Sequence, residues 1–480
     1  MTKQIPVRNP RTGETDYEIT AMDAARIAAE ADRLRAGQRA WAAWPVQRRI
    51  AVLREFRDAV ARRRDDLIRV LVTDTGRLQV SVLEVDAVLA GIDRASRFAE
   101  ETFAPADLSP TGDPTVRTTG DLVAYPLVAA ISPWNFPFQL ALIDVVPALL
   151  AGSAVMLKPS EMTPRFIPTL RECVAEAAGL SDVFTVVEGD GATGAAMIDA
   201  ADAVCFTGSV PTGRAVARAA AERFIPAFLE LGGKDPAVVT ASADLDSAAS
   251  ALLWGSTINS GHACMSIERV YVDHRVADAF VETLVAKAER VRLAHPEPAD
   301  GQIGPIITGA QVTTIREHLD DAVAKGATIR TGGSIEVLDG GCYLRPTVVT
   351  GVDHSMRLMR EETFGPIIPV MTFDGEDEAV ALANDTEFGL SAAVFAGTAE
   401  EAMAIGHRID AGGVSVNDVC LTGMVPEAEK NSFKMSGLGA SRMGPPSVRR
   451  FLRRRALLVR ETAGPRPWYY DAATTETEER

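Results

Sequence analysis

Cys264 closes the run Asn259-Ser260-Gly261-His262-Ala263-Cys264, just beyond a glycine, in a segment that reads as a loop. A loop thiol is a better candidate nucleophile than one packed in an apolar core, although a small buried residue fits the same letters. Glu230 follows the β-rich run 225–229 and precedes Leu231-Gly232-Gly233-Lys234. Ligands of open α/β sheets sit at strand carboxyl ends, and glycines let backbone approach them; a plain β-turn with an exposed acid has the same composition. Asn135 is held between two prolines in Ser132-Pro133-Trp134-Asn135-Phe136-Pro137. Its amide could donate to an oxyanion, or cap a strand-to-helix connection. In Phe206-Thr207-Gly208-Ser209-Val210-Pro211-Thr212-Gly213 a strand runs through a glycine-rich turn into a helix, a place where a diphosphate can rest. Gly189-Asp190-Gly191-Ala192-Thr193-Gly194 matches the dinucleotide pattern GxGxxG, and pattern alone would put a cofactor there.

Positioning these groups takes more than one core. A chain of 480 residues predicts two or three domains. Residues 21–77 show helical periodicity, with apolar Ile50, Leu53, Phe56 and Val60 among charged neighbours. From residue 127 short β-rich runs (127–132, 154–157, 184–187, 203–207, 225–229) alternate with helical ones, which predicts βαβ units and a parallel sheet. A second alternating stretch includes strands at 237–239, 269–272, 367–373 and 392–395. The turn-rich stretch 107–121 reads as the start of an extended hairpin arm.

Composition narrows the function. A hydrophobic share of 47% and a formal charge of −16 fit a globular protein that acts on small molecules, and disfavour nucleic acid and anionic membrane as partners. The apolar run 145–157 is too short to span a bilayer and reads as core. No apolar leader precedes the first helix, and the five cysteines are scattered and odd in number, so a reducing, cytoplasmic setting is expected. They form no CxxC pair, so no metal site is expected.

Seven segments together resemble the aldehyde dehydrogenase superfamily from about residue 20 to 460: Pro133-Trp134-Asn135-Phe136-Pro137, Lys158-Pro159-Ser160-Glu161, Phe206-Thr207-Gly208-Ser209, Glu230-Leu231-Gly232-Gly233-Lys234, Gly261-His262-Ala263-Cys264, Glu361-Glu362-Thr363-Phe364-Gly365-Pro366 and Lys434-Met435-Ser436-Gly437. The resemblance implies an α/β fold with a Rossmann-type doubly wound cofactor domain (1–105 and 125–232) and an α/β catalytic domain (233–445). It also implies a small β oligomerisation arm (106–124 and 446–465, with a strand near 456–459), leaving a C-terminal tail (466–480). It implies oxidation of an aldehyde to an acid with NAD(P)+, in a homodimer or homotetramer. Cys264 would form a thiohemiacetal and then a thioester, Asn135 and the Cys264 backbone N–H would hold the oxyanion, and Glu230 would activate water. Ser132, Pro133, Trp134, Lys158, Glu161, Gly208, Ser209, Gly213 and Leu231 would bind the dinucleotide, with Glu362 and Phe364 at the nicotinamide ribose. A carboxylate at Glu161 accepts from a 2′-hydroxyl and repels a 2′-phosphate, which favours NAD while leaving NADP open. The family binds without the GxGxxG contact, so Gly189–Gly194 becomes a neighbouring turn that at most brushes the adenine.

Departures from the family pattern carry their own expectations. His262 replaces a common glutamine and is read as a neutral spacer. In Glu427-Ala428-Glu429-Lys430-Asn431-Ser432-Phe433 the usual glycines are gone, and an aromatic of the substrate tunnel would fall near Lys430 or Phe433. A solvated lysine is the simpler expectation; a lysine facing the tunnel would suit an acidic or polar aldehyde. Ala440-Ser441 stand where relatives carry Arg-Glu, and Asp144 is a candidate replacement for that proton-relaying glutamate. The basic run Arg449, Arg450, Arg453, Arg454 and Arg455 is expected at a subunit interface. Trp468-Tyr469-Tyr470 is expected on a neighbouring surface, and residues 474–480 are expected to be disordered. Two rivals stand beside this reading. One is a CoA-acylating aldehyde dehydrogenase, whose members typically lack the glutamate at position 230. The other is a non-catalytic binding protein on the same fold.

Overall fold

The alternation that begins at residue 127 forms a parallel sheet. Strands Leu127–Ile131, Ala154–Lys158, Phe184–Val186, Ala203–Thr207 and Ala227–Glu230 are joined by helices Pro137–Ala151, Ile167–Glu176, Gly191–Ala200 and Val210–Arg223. This is a computed structural model, which describes residues 3–104, 107–462, 464, 466 and 468–469. Tyr470, expected on a neighbouring surface, and residues 474–480, expected to be disordered, lie outside the described residues. All of Ala154–Lys158 and Ala203–Thr207 is buried, as a parallel sheet covered on both faces requires.

In space the order is Ala227–Glu230, Ala203–Thr207, Leu127–Ile131, Ala154–Lys158, Phe184–Val186. The winding reverses between Leu127–Ile131 and Ala203–Thr207, and such a reversal opens a crevice over the strand carboxyl ends. Four helices, Ala24–Ala43, Val46–Arg62, Arg64–Thr75 and Leu78–Thr102, precede the sheet. Ile50, Leu53, Phe56 and Val60 enter its core as their spacing predicts. Helical structure continues well past residue 77, and an antiparallel hairpin, Gln4–Arg8 with Thr15–Thr20, adds to the expected elements. The apolar run 145–157 is the end of one buried helix, a left-handed Gly152 (φ 102) and the next buried strand. No helix among the described residues is long and apolar enough to cross a membrane.

A second sheet has the order Thr328–Thr331, Thr347–Thr350, Ile367–Phe373, Ile267–Asp273, Asp235–Val239, Ala392–Phe395, Val414–Val416, parallel apart from its first pair. Alternate residues feed opposite faces: Val238 joins one apolar cluster, while Ala237 and Val239 join the other. A third, antiparallel sheet pairs Leu452–Arg460 with Val116–Ala124, and the latter with Ser109–Pro110. Its long strand begins earlier than the expected 456–459.

The chain also crosses the expected boundary near 445. Gly437–Leu438 pairs with Glu230 and Leu229 at the edge of the first sheet, and Val448 and Phe451 pack into the first core. The basic run is therefore not wholly a surface feature: Arg450 is buried and pairs with Asp144.

Candidate active site

The segment carrying Cys264 is built on an unusual turn. Helix Leu245–Thr257 ends, and the chain passes through Asn259 (φ 56), Ser260 (φ 58) and Gly261 (φ 75), all left-handed. Such conformations cost roughly 1–3 kcal/mol for non-glycine residues and persist only where the surroundings over-determine them. Here the Asn259 amide donates to the carbonyls of Asn135 (2.7 Å) and His262 (2.9 Å), while its oxygen accepts from Arg77 (2.5 Å). Arg77 also donates to the Pro305 carbonyl at 2.9 Å. A side chain at Gly261 would strike the Gly365 carbonyl carbon at 2.1 Å, so this turn requires glycine. The Asn135 amide donates to the His262 carbonyl at 3.0 Å. Asn135, Asn259 and the approach to Cys264 thus form one hydrogen-bonded unit anchored by Arg77.

Sequence reasoning missed Arg77 and gave Asn259 no role. Arg77 directly precedes a long helix and lies far from every recognisable motif, so no local signal marks it. His262 is more than a spacer. It is fully buried, packs edge-on to Trp134 (5.3 Å) and Phe364 (5.7 Å), and is held neutral, its pKa lowered first by burial and then by Arg77.

Cys264 and Glu230 line the same chamber, a cavity of about 910 Å³ with Phe136, Leu140, Met424 and Met443 in its wall. Glu230 sits on the last residue of its strand and accepts from the Ser432 hydroxyl at 2.8 Å. Burial pushes the Cys264 thiol up to about 11, with Asp235 adding to the effect and Lys430 and Arg442 opposing it.

Lys430 lines the chamber, contrary to the solvated lysine expected from the sequence. Phe433 lies instead on a short edge strand opposite Gly389 and is 41% exposed. Asp144 does not suit a proton relay. It is clamped by Arg450 and by Arg442 (2.9 Å), and although burial alone would raise its pKa, the two guanidinium groups hold it low.

The second cavity, about 1170 Å³, lies over the switch point. Ser132, Pro133, Trp134, Lys158, Glu161, Gly208 and Ser209, all expected to bind the dinucleotide, line it. Ser132 Oγ is buried without a partner, and helix Val210–Arg223 begins with no side-chain cap, so its first N–H groups remain available to an anion. Lys158 Nζ meets Glu161 at 3.1 Å on the wall. These open donors and the groove's shape fit a dinucleotide.

The GxGxxG turn differs. Asp190 caps its helix by accepting from Ala192 N (3.0 Å) and Thr193 N (3.4 Å), so a carboxylate already occupies the place of a phosphate. Gly191 and Gly194 line one side of the groove.

Four expected cofactor residues lie elsewhere. Gly213 packs beneath Leu231, which faces the chamber rather than the groove. Glu362 accepts from the Gly233 N–H at 3.2 Å, and burial reinforced by Glu268 pushes it up to about 8. Phe364 stands edge-on to Trp134 at 5.5 Å. Buried Lys234 holds Glu268 at 2.6 Å, and Glu268 accepts from the N–H groups of Thr363 (2.7 Å) and Phe364 (2.8 Å), which locks these two motifs together. Ser436 joins the sheets, its carbonyl accepting from Leu231 N (2.8 Å) and its hydroxyl from Gly389 N (2.9 Å). Among the described residues no group of three or more His, Cys, Asp or Glu is placed to hold a metal ion.

Comparison with known proteins agrees with this geometry. Residues 1–457 match the aldehyde dehydrogenase family. The "Putative succinate-semialdehyde dehydrogenase [NADP(+)]" of Mycolicibacterium smegmatis is 38% identical, over 90% of this chain and 84% of its own. The betaine aldehyde dehydrogenase of Cereibacter sphaeroides is also 38% identical, over 91% and 89%. Among solved structures, the "Putative Aldehyde Dehydrogenase PutA" of Anabaena variabilis superimposes with a TM-score of 0.96 at 50% identity, covering 98% of this chain and 100% of that one. Betaine aldehyde dehydrogenase of Staphylococcus aureus with NAD+ gives 0.91 at 27%, covering 97% and 96%.

Proposed function

We propose, for a chain that belongs to the aldehyde dehydrogenase family and so oxidises aldehydes to carboxylic acids with NAD(P)+, that Cys264 is the nucleophile, Asn135 the oxyanion donor and Glu230 the base for hydrolysis. The observation that carries this reading is the placement of Cys264 and Glu230 on one chamber, beside a groove suited to a dinucleotide.

The Cys264 sulfur adds to the aldehyde carbon. One Asn135 N–H is engaged with the His262 carbonyl, which leaves the other, with the Cys264 backbone N–H, to hold the developing oxyanion. Bound NAD(P)+ supplies the hydride acceptor. Loss of hydride leaves a thioester on Cys264. Glu230 then takes a proton from water, the water attacks the thioester carbon, and the acid leaves as the thiol re-forms.

Ser132, Pro133, Trp134, Lys158, Glu161, Gly208 and Ser209 would hold the dinucleotide, with Glu362 and Phe364 toward the ribose near the reacting end. NAD is favoured over NADP because the Glu161 carboxylate on the groove wall repels a 2′-phosphate. The Leu452–Arg460 strand, with Leu458 exposed, suits assembly as a dimer or tetramer. Five unpaired thiols suit a reducing compartment such as the cytoplasm.

Rapid mixing of Glu230→Gln with aldehyde and NAD+ tests the assignment. A stoichiometric burst of NADH followed by turnover slowed about 10²–10³-fold is expected if Glu230 serves hydrolysis. Unchanged steady turnover would remove Glu230 from that role, and turnover restored only by CoA would favour acyl transfer to CoA.

A further inference from the structure

The chamber is mostly apolar, yet Lys430 and Arg442 both stand in its wall. Arg442 is committed on one side, donating to Asp144 (2.9 Å) and to the Thr207 hydroxyl (2.6 Å). The same Asp144 carboxylate takes Arg450. One carboxylate between two guanidinium groups leaves that buried triad with a net positive charge, and the Nε of Arg442 is buried with no acceptor.

Lys430 is the freer cation. Its ammonium makes no ion pair among the described residues, whereas nearby Lys434 pairs with Asp410 at 3.1 Å. Its stem runs past a glycine pair. A side chain on Gly413 would come within 3.4 Å of Lys430 Cδ, and one on Gly412 would strike the Asn431 carbonyl at 1.8 Å, so the glycine pair is the seat on which this loop rests. The backbone thus delivers Lys430 to the chamber, where its charge is felt at Cys264 and Asp235. One carboxylate, Glu230, lines the cavity, and one of its oxygens already accepts from Ser432.

An unanswered cation in an apolar cavity is costly until an anion joins it. We propose that this chamber selects aldehydes carrying a carboxylate at the end remote from the carbonyl, with Lys430 as the specificity-determining residue. The inference rests on the aldehyde-oxidation reading above. The product is then a dicarboxylate, formed with the same stoichiometry: one aldehyde, one water and one NAD(P)+ give one acid group, one reduced cofactor and protons. A quaternary-ammonium aldehyde is disfavoured by the same charges.

The test compares kcat/KM for 4-oxobutanoate, 5-oxopentanoate and 6-oxohexanoate with that for butanal, pentanal and hexanal, using NADH formation by the purified full chain. The expected result is a preference of about tenfold or more for at least one oxo-acid over its uncharged partner, as a charge-assisted contact provides. Lys430→Met should bring that ratio toward one, Lys430→Arg should retain it, and Lys430→Glu should reverse it. NAD+ binding by each variant reports folding. Turnover of the alkanals with no preference for the oxo-acids, or a ratio unmoved by Lys430→Met in a variant that binds NAD+, overturns the substrate inference alone. Absence of any NADH from either series, with NAD+ or NADP+, points instead to failure of the catalytic reading.

Discussion

The groove, lined by Trp134, and the chamber, lined by Cys264, are built in different ways. The groove is made largely from segments just beyond strand carboxyl ends: Ser132–Trp134 after one strand, Gly208 and Ser209 after its neighbour, and an uncapped helix start. Its two charges, Lys158 and Glu161, answer one another. The chamber is walled by the helix residues Leu83, Gln139, Leu140 and Ile143, by Glu230 at a strand end, and by loops that include the one carrying Lys430, a cation with no ion pair among the described residues. Strand ends and backbone N–H groups are dictated by the fold, so every chain that folds this way presents them. Loop side chains are free to vary without disturbing the fold, so the chamber records what is particular to this chain.

The difference predicts that the two regions can be broken separately. The largest effect is expected from Cys264→Ala. Aldehyde-dependent NADH formation should fall by about 10⁴-fold or more, while NAD+ affinity, read by titration calorimetry, should stay within about twofold. Loss of both together would mean that groove and chamber are one cooperative unit. A smaller effect concerns the thiol in the cofactor-free enzyme. Its pKa is raised to about 11, so the thiolate is scarce at neutral pH and its fraction rises with pH until that value is passed. Alkylation of Cys264 by iodoacetamide, tracked by mass spectrometry, should quicken about tenfold for each pH unit between 7 and 10. A rate already level by pH 8 would show that Lys430 and Arg442 outweigh burial at this site.

Much of the groove was legible because it depends on local order. Alternating β-rich and helical runs mark the strands, and glycine just beyond a strand marks a turn that ligands can approach. The chamber was less legible because its geometry is set by partners distant in sequence. Lys430 looks like one more charged residue in a polar loop until Gly412 and Gly413 are seen to carry that loop against the cavity. Arg77, which anchors Asn259 and through it the turn before Cys264, gave no sign at all. A buried cation that bonds mainly to polar oxygens of remote segments has no signature in its own neighbours. Asp144 misled for a related reason: its place on the helix was readable, but the two arginines that clamp it come from far along the chain.

The smallest effect gives the sharpest test of the groove, because it compares glycines of two similar turns. Gly191 belongs to the segment that matches the dinucleotide pattern. It lies at the start of a helix, a Cβ there meets nothing within 4 Å, and Asp190 already satisfies the neighbouring N–H groups. Gly191→Ala should therefore change the KM for NAD+ by less than about twofold and leave stability equal or about 0.5 kcal/mol higher. Gly213 matches no such pattern, but a Cβ there would lie 2.4 Å from Leu231 Cδ2. Leu231 is buried beside Glu230 and has little room to yield, so Gly213→Ala should cost about 1–3 kcal/mol. It should also raise the KM for NAD+ about tenfold by tilting the helix whose first turn faces the groove. Thermal unfolding and NAD+ kinetics on the two variants decide the matter. If Gly191→Ala proved the damaging change, the dinucleotide would lie on the capped helix after all, and the uncapped helix would need another purpose.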